Sequence, residues 1–125
     1  MKNFLKYLEN FKNTQIMVIG DIIADEFLIG RPERLSREAP VLILRRNNRK
    51  ILPGGAANAA YNISALQGKI KLAGVIGYDN TGKKLKEILK EKNIDISGII
   101  SSKDRPTSLK TRVLAGGDQV VKQQI

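Results

Sequence analysis

The sequence of 125 residues contains no cysteine, no histidine and no tryptophan. Without Cys or His it cannot assemble a thiolate or imidazole zinc site, a Ser-His-Asp triad or a disulfide framework. Any catalysis would fall to carboxylates, Lys, Arg, hydroxyls and backbone amides. Long hydrophobic runs are missing as well. The most apolar stretches, 16–19, 41–44 and 56–66, are far shorter than the roughly 20 residues that a bilayer helix needs, so no membrane span is expected. The start, from Met1 to Glu9, interrupts its apolar residues with charges at a helical period, whereas a signal peptide needs an unbroken apolar region. A cytoplasmic location is the default expectation, and the lack of Cys agrees with it.

What is present is an ordinary hydrophobic fraction, 42%, beside a charged fraction of 27%. That balance predicts one folded domain or part of one. Positive charge predominates: 22 Lys and Arg against 12 Asp and Glu, a net charge of +10. Its distribution says more than its sum. The cluster Lys83, Lys84, Lys86, Lys90 and Lys92 is interleaved with Glu87 and Glu91, which predicts a solvated helix face with i,i+4 pairs. A second cluster, Arg31, Arg34, Arg37, Arg45, Arg46, Arg49 and Lys50, has no interleaved aromatics for base stacking and no helix-turn-helix or RNA-binding signature. Nucleic acid is therefore not the expected partner.

Along the chain, Phe4, Leu5, Leu8 and Phe11 recur at helical spacing, predicting a short amphipathic helix that ends near Asn13 and caps a sheet edge. Gln15 to Gly20 is a continuous apolar run stopped by Gly, the pattern of a buried parallel strand. Asp21 and Asp25 follow its carboxyl end, where ligands of open α/β sheets collect. Between Glu26 and Pro53 the texture changes to short apolar runs, 27–30 and 41–44, separated by a charged turn. These predict short antiparallel strands of an accessory sheet. The uncharged, Ala-rich segment 56–66 predicts a helix buried nearly all round. Lys69 to Gly77 reads as a core strand and Asn80 to Asn93 as a helix with Leu85, Ile88 and Leu89 inward, capped at its start by Asp79 or Asn80 and at its end by Asn93. Ile94 to Ser101 supplies a third strand. The alternation from Thr107 to Leu114 predicts a half-exposed strand of the accessory sheet. Strand, helix, strand, helix, strand with right-handed crossovers gives a three-layer α/β domain.

The most informative local feature is the turn Gly54-Gly55-Ala56-Ala57-Asn58. Two glycines let a ligand approach the backbone, and the helix that follows opens with unpaired N–H groups and a positive dipole end, which favour hydroxyl or phosphate oxygens. Asn58 adds a donor and an acceptor on the first turn. A Gly-rich entry to a helix without ligand-binding duties has the same spacing. The turn is neither the dinucleotide fingerprint nor a P-loop, since no Gly-Lys-Ser/Thr follows.

Taken in order, Gly20-Asp21-Ile22-Ile23-Ala24-Asp25, Arg34-Leu35-Ser36-Arg37-Glu38-Ala39-Pro40-Val41, Pro53-Gly54-Gly55-Ala56-Ala57-Asn58, Gly74-Val75-Ile76-Gly77-Tyr78-Asp79 and Pro106-Thr107-Ser108-Leu109-Lys110-Thr111-Arg112 resemble the ribokinase-like (PfkB) carbohydrate kinases. Within that family the sequence looks most like the D-glycero-β-D-manno-heptose 7-phosphate kinases of lipopolysaccharide precursor synthesis, found also as the kinase half of a bifunctional kinase/adenylyltransferase. The resemblance runs from about Gln15 to the last residue. It implies a three-layer ribokinase-like α/β fold with a small antiparallel β lid, of which residues 1–125 would be the N-terminal portion, with lid segments at about 26–53 and 107–125.

The resemblance also implies roles. The Asp after the first core strand and the Gly-Gly-x-x-Asn turn of the family hold sugar hydroxyls, which carries over to Asp25, Gly54, Gly55 and Asn58. Asp21 would orient the turn. A substrate that already carries a phosphate needs cations, for which Arg34, Arg37, Lys110 and Arg112 are the candidates, with solvent-facing lid charge as the alternative for each. The implied reaction is ATP-dependent phosphorylation of the heptose 7-phosphate at its anomeric hydroxyl, with Mg as the accompanying ion, and the lid would pair two copies into a homodimer.

Kinases of this family are considerably longer, and their second half supplies the nucleotide site, the Gly-Ala-Gly-Asp anion hole and the catalytic Asp. Ala115-Gly116-Gly117-Asp118 is a poor substitute, because it follows a lid-like strand instead of opening a helix on the phosphoryl group. Asp118 is therefore not expected to be the base, no catalytic residue or metal ligand is assigned, and the chain alone is expected to be inactive. An incomplete sheet predicts an open apolar edge, partial exposure of the 56–66 helix and poorly cooperative or oligomeric behaviour. Gln67 stands where the family usually has Gly, a change at a helix end that the fold should absorb. Three alternatives stay open: another PfkB sugar or nucleoside kinase, a non-catalytic sugar-phosphate-binding module, and a basic nucleic-acid-binding domain.

Overall fold

A computed structural model describes residues 5–116 and 121–124. The chain divides into two compact units: residues 1–24 with 52–108, and residues 25–51 with 109–125.

The first unit is built on a three-stranded parallel sheet in the order β1-β4-β5. β1 spans Gln15–Ile19, β4 Lys69–Gly77 and β5 Asp95–Ser102. The pairing sets Gln15 opposite Lys69 and Ile19 opposite Ala73, then Gly74 opposite Ile99 and Gly77 opposite Ser102, with a register shift between Lys71 and Ala73. Parallel strands need long crossovers, and two helices provide them. α2 (Ala56–Ala65) lies against β1 and β4, and α3 (Asn80–Glu91) against β4 and β5.

Because strand side chains alternate, one sheet face points toward the helices and the other away. Ile70, Leu72, Ile76 and Ile99 are buried together with Leu85 and Leu89 of α3 and Ala57 and Ala60 of α2. The alternate positions Met17, Ile19, Val75 and Ile100 are exposed, Ile19 at 73% and Ile100 at 66%. Of the three layers expected, the described residues thus supply the sheet and the helices on one face.

Both helices end in the same backbone motif. In α2 the Gln67 N–H donates to the carbonyl of Ser64 and that of Gly68 to Ile63; in α3 the Asn93 N–H donates to Lys90 and that of Ile94 to Leu89. The residue at the pivot must adopt a left-handed conformation. Gln67 does so at φ 65° and Asn93 at φ 56°. Asn tolerates that region through its short polar side chain, whereas Gln carries its full steric cost, which accounts for the family's usual Gly at position 67.

The second unit contains most of a four-stranded sheet in the order β3-β2-β6-β7. β2 spans Ile22–Leu35, β3 Leu42–Gly55, β6 Ser108–Ala115 and β7 Val121–Gln124. β6 and β7 are antiparallel, with Ala115 opposite Val121 and Arg112 opposite Gln124. The accessory sheet anticipated from the sequence is present, but its strands are not short. β2 and β3 each run for 14 residues, continuing through the charged stretches that were read as strand ends. Cross-strand ion pairs, Arg45 to Glu33 at 2.7 Å and Arg49 to Glu26, keep those stretches in ladder geometry.

Two further readings are corrected. Among the described residues the N-terminal helix, α1, covers Leu5–Leu8 and stops short of Asn13, and a separate 3-10 turn occupies Phe11–Asn13. α2 shows the partial exposure also expected of it and not the all-round burial that its composition alone predicts: Ala57 and Ala60 are buried, while Asn58, Ala59, Asn62, Ala65 and Leu66 are exposed. Absence of charge there reports small side chains rather than enclosure, since Ala is a strong helix former at exposed positions too. Among the described residues no helix is long and apolar enough to cross a membrane.

Candidate functional site

In the first unit, the Gly-Gly turn enters α2 with Gly54 buried and Gly55 exposed. Gly55 has φ 57° and ψ −132°, a conformation that disfavours any residue with a Cβ. A Cβ there would also stand 2.4 Å from the carbonyl oxygen of Asp21. That same carbonyl accepts a hydrogen bond from the Ala56 N–H at 2.8 Å, so Asp21 orients the turn through its backbone, the duty the sequence reading gave it. α2 has no side-chain N-cap, and its first turn carries no acidic residue. Asn58 is exposed on that turn, where its backbone carbonyl and its Oδ1 accept from Asn62 Nδ2 at 3.0 and 3.3 Å. Gly54, Gly55 and Asn58 are therefore neighbours around one helix entry that has no side-chain cap.

A second cluster in this unit was only partly foreseen. Asp79 caps α3 as expected: its Oδ1 accepts from the Gly82 N–H at 2.8 Å. The same carboxylate accepts from the backbone N–H of Thr107 at 2.7 Å and from its hydroxyl at 2.9 Å, while that hydroxyl accepts from the Gly77 N–H at 3.0 Å. Thr107 is buried. The bonds from Thr107 and Gly82 hold the Asp79 carboxyl below its ordinary range. The clamp ties the end of β4, the start of α3 and the segment leading into β6. Asp79 and Thr107 both stand in the motif blocks, but nothing in their spacing joins residues 28 positions apart. Nearby, a cleft of about 440 Å³ is lined by Tyr78, Asp79, Lys83, Lys86 and Ser101. Lys86 donates to Ser101 at 2.8 Å, and the helix face shows an i,i+3 pair, Lys84 to Glu87 at 3.2 Å, in place of the expected i,i+4 pairing.

In the second unit the structure brings Asp25 and Arg112 together. Arg112 Nη1 donates to Asp25 Oδ1 at 2.8 Å, and its guanidinium lies 5.1 Å from the centroid of the Phe27 ring. On the opposite face of β2, Glu26 is buried and accepts from Thr111 at 2.7 Å and from Arg49 at 2.5 Å. These bonds, Thr111 first, hold the Glu26 carboxyl below its ordinary range against the opposing effect of burial. Glu26 is not legible as a buried acid from local pattern, because an acid on a strand reads as solvent-facing unless its neighbours across the sheet are known. Arg34 and Arg37 are exposed without partners among the described residues, and Lys110 is half-buried. Gly116 follows β6, which is antiparallel to β7; Asp118 and the expected turn between the two strands lie outside the described residues.

Residues 13–122 match the model of the pfkB family of carbohydrate kinases. Over 108 residues the chain is 48% identical to the bifunctional protein HldE of Helicobacter pylori (strain P12), covering 86% of this chain and 23% of that protein. Over 116 residues it is 40% identical to the bifunctional protein HldE of Gluconobacter oxydans (strain 621H), covering 92% and 24%. The chain thus spans about a quarter of the length of these curated relatives. Among solved structures, Arabidopsis thaliana ribokinase complexed with ribose and ATP is similar at a TM-score of 0.68 and 20% identity, covering 90% of this chain and 35% of that one. An uncharacterized sugar kinase from Pyrococcus horikoshii in complex with ATP is similar at a TM-score of 0.58 and 26% identity, covering 87% and 33%. The fold is ribokinase-like.

Proposed function

The chain belongs to the pfkB family of carbohydrate kinases, and from that premise we propose that it forms the sugar-binding side of a kinase acting on D-glycero-D-manno-heptose 7-phosphate. The observation that carries the reading is the 48% identity to the bifunctional protein HldE over most of the chain, beside the resemblance of the motif blocks to heptose 7-phosphate kinases. In this reading Asp25, Gly54, Gly55 and Asn58 hold sugar hydroxyls. The α2 entry supports it chemically: backbone N–H groups at a helix start and an exposed side-chain amide suit oxygen-rich ligands. Arg34, Arg37 and Lys110 are proposed to attract the phosphate that the substrate already carries.

The reaction is phosphoryl transfer from ATP to the anomeric hydroxyl, in which positioning and electrostatic stabilisation do most of the catalysis. This chain's residues contribute positioning: Asp25 accepts a hydroxyl hydrogen bond and the Gly-Gly turn lets the sugar approach the backbone. No residue of this chain is assigned to magnesium. Among the described residues no group of three acidic or other ligating side chains gathers, and Asp25, Glu26, Asp79 and Asp95 each accept a hydrogen bond within the protein. No step is assigned here to the metal, and we expect the 125 residues alone not to turn over ATP.

Titration calorimetry of the purified chain with D-glycero-D-manno-heptose 7-phosphate tests this reading. Saturable binding, weakened about tenfold by Asn58→Ala as one lost hydrogen bond would do, is expected. Absence of saturable binding, or salt-sensitive binding to DNA or RNA that ignores changes at Asp25 and Asn58, would contradict it.

A further inference from the structure

We infer that Arg112 is a positioning residue: its guanidinium fixes the Asp25 carboxylate for the sugar instead of meeting the substrate's phosphate. The inference rests on the proposed role of Asp25 as a sugar ligand. Three observations within the antiparallel unit carry it.

The first is the pair itself. Arg112 Nη1 donates to Asp25 Oδ1 at 2.8 Å, with the two side chains only 29% and 24% exposed. Among the described residues the second carboxylate oxygen, Oδ2, has no hydrogen-bond partner and is free to accept a hydroxyl. The second is the seat of the guanidinium. Phe27 stands two residues beyond Asp25 on β2, so one strand face offers both the anion and an aromatic surface, with the cation 5.1 Å from the ring centroid. A planar guanidinium held at its edge by a carboxylate and over its face by a ring has little freedom to follow a mobile phosphate.

The third observation lies on the other face. Thr111, the residue before Arg112, donates to the buried Glu26, the residue after Asp25, and Glu26 also accepts from Arg49 of β3. Neighbouring residues on a strand point to opposite faces, so this buried junction pins β6 in the one register that brings Arg112 to Asp25. A slip of one residue would turn Arg112 away. Arg34 and Arg37, exposed and unpartnered among the described residues, are better placed to receive an anion.

The test is calorimetric binding of two sugars, D-glycero-D-manno-heptose with and without its 7-phosphate, to the wild-type chain and to Asp25→Asn, Arg112→Met, Arg112→Lys and the double variant Asp25→Asn/Arg112→Met. A positioning role predicts that Arg112→Met weakens both sugars by the same factor, about tenfold, the scale of one charge-assisted hydrogen bond. It predicts that the double variant binds no more weakly than Asp25→Asn, because coupled groups are not additive. Arg112→Lys, which keeps a cation for Asp25, should recover part of the affinity and shows that the loss is not misfolding. A loss confined to the phosphorylated sugar, or additive losses in the double variant, would overturn the inference and leave Asp25 as a sugar ligand. Unchanged binding of both sugars by Asp25→Asn would instead remove the reading on which it rests.

Discussion

The two units are held by different chemistry. The parallel unit buries Ile22, Leu72, Ile76, Leu85 and Leu89 almost completely, an apolar core between sheet and helices. In the antiparallel unit the ordering contacts are polar: Asp25 with Arg112, Glu26 with Arg49 and Thr111, Glu33 with Arg45. Apolar packing is indifferent to direction and scales with area, whereas ion pairs fix register and respond to pH and salt. One unit is therefore ordered chiefly by apolar packing and the other by charge pairing.

The largest effect should come from the apolar core. Leu72→Ala, at a fully buried position in the central strand β4, should cost about 2–5 kcal/mol through lost transfer energy and a cavity, read by urea unfolding. A loss no larger than that of a surface change would mean that the parallel unit is not held by its core.

A smaller effect, with a different signature, is expected from Glu26→Gln. Removing the charge should cost about 1–3 kcal/mol near neutrality, since Arg49 and Thr111 lose a charged acceptor. Glu26 and Asp79 are both lowered in the folded state, so each contributes stability that is present above the ordinary carboxylate range and is lost as pH falls through its lowered value. Unfolding followed from pH 7 down into the acid range should show a shallower acid loss in Glu26→Gln than in the wild type. The remaining loss belongs to carboxylates of the parallel unit, Asp79 held by Thr107 and Gly82 and the exposed Asp95 held by Ser97. Identical acid profiles would erase the distinction between the units.

The smallest effect sharpens the account of the helix ends. Gln67→Gly should stabilise by about 1 kcal/mol, because glycine adopts the positive φ at that pivot without steric cost. Asn93→Gly should gain less, Asn being better suited to that region. Thermal melts of the two variants compare them directly.

How far these features were legible in the sequence follows the same division. Apolar patterning located β4, β5 and α3 closely, where local pattern and burial agree; it located β1 as well but not its burial, since Met17 and Ile19 are exposed and no β1 residue is buried. The Asp79 cap and the Asn93 terminus were legible from helix-end chemistry. It failed for β2 and β3, whose charged halves look like turns until Glu33 meets Arg45 across the ladder. For α2 the Ala-rich composition points to all-round burial, whereas Asn58, Ala59 and Asn62 are exposed. In the candidate site, the Gly54-Gly55 turn was visible as a local motif. The pairing of Asp25 with Arg112 was not, since it joins residues 87 positions apart.

Whether the proposed sugar meets the α2 entry and Asp25 decides the proposed function. The most direct measurement is an NMR titration of the isotope-labelled chain with D-glycero-D-manno-heptose 7-phosphate, followed residue by residue. Saturable shifts centred on the amides of Gly54, Gly55 and Asn58 and on Asp25 are the predicted result. Shifts absent from those residues at saturating sugar, or confined to the Tyr78, Lys83 and Lys86 cleft, would contradict it.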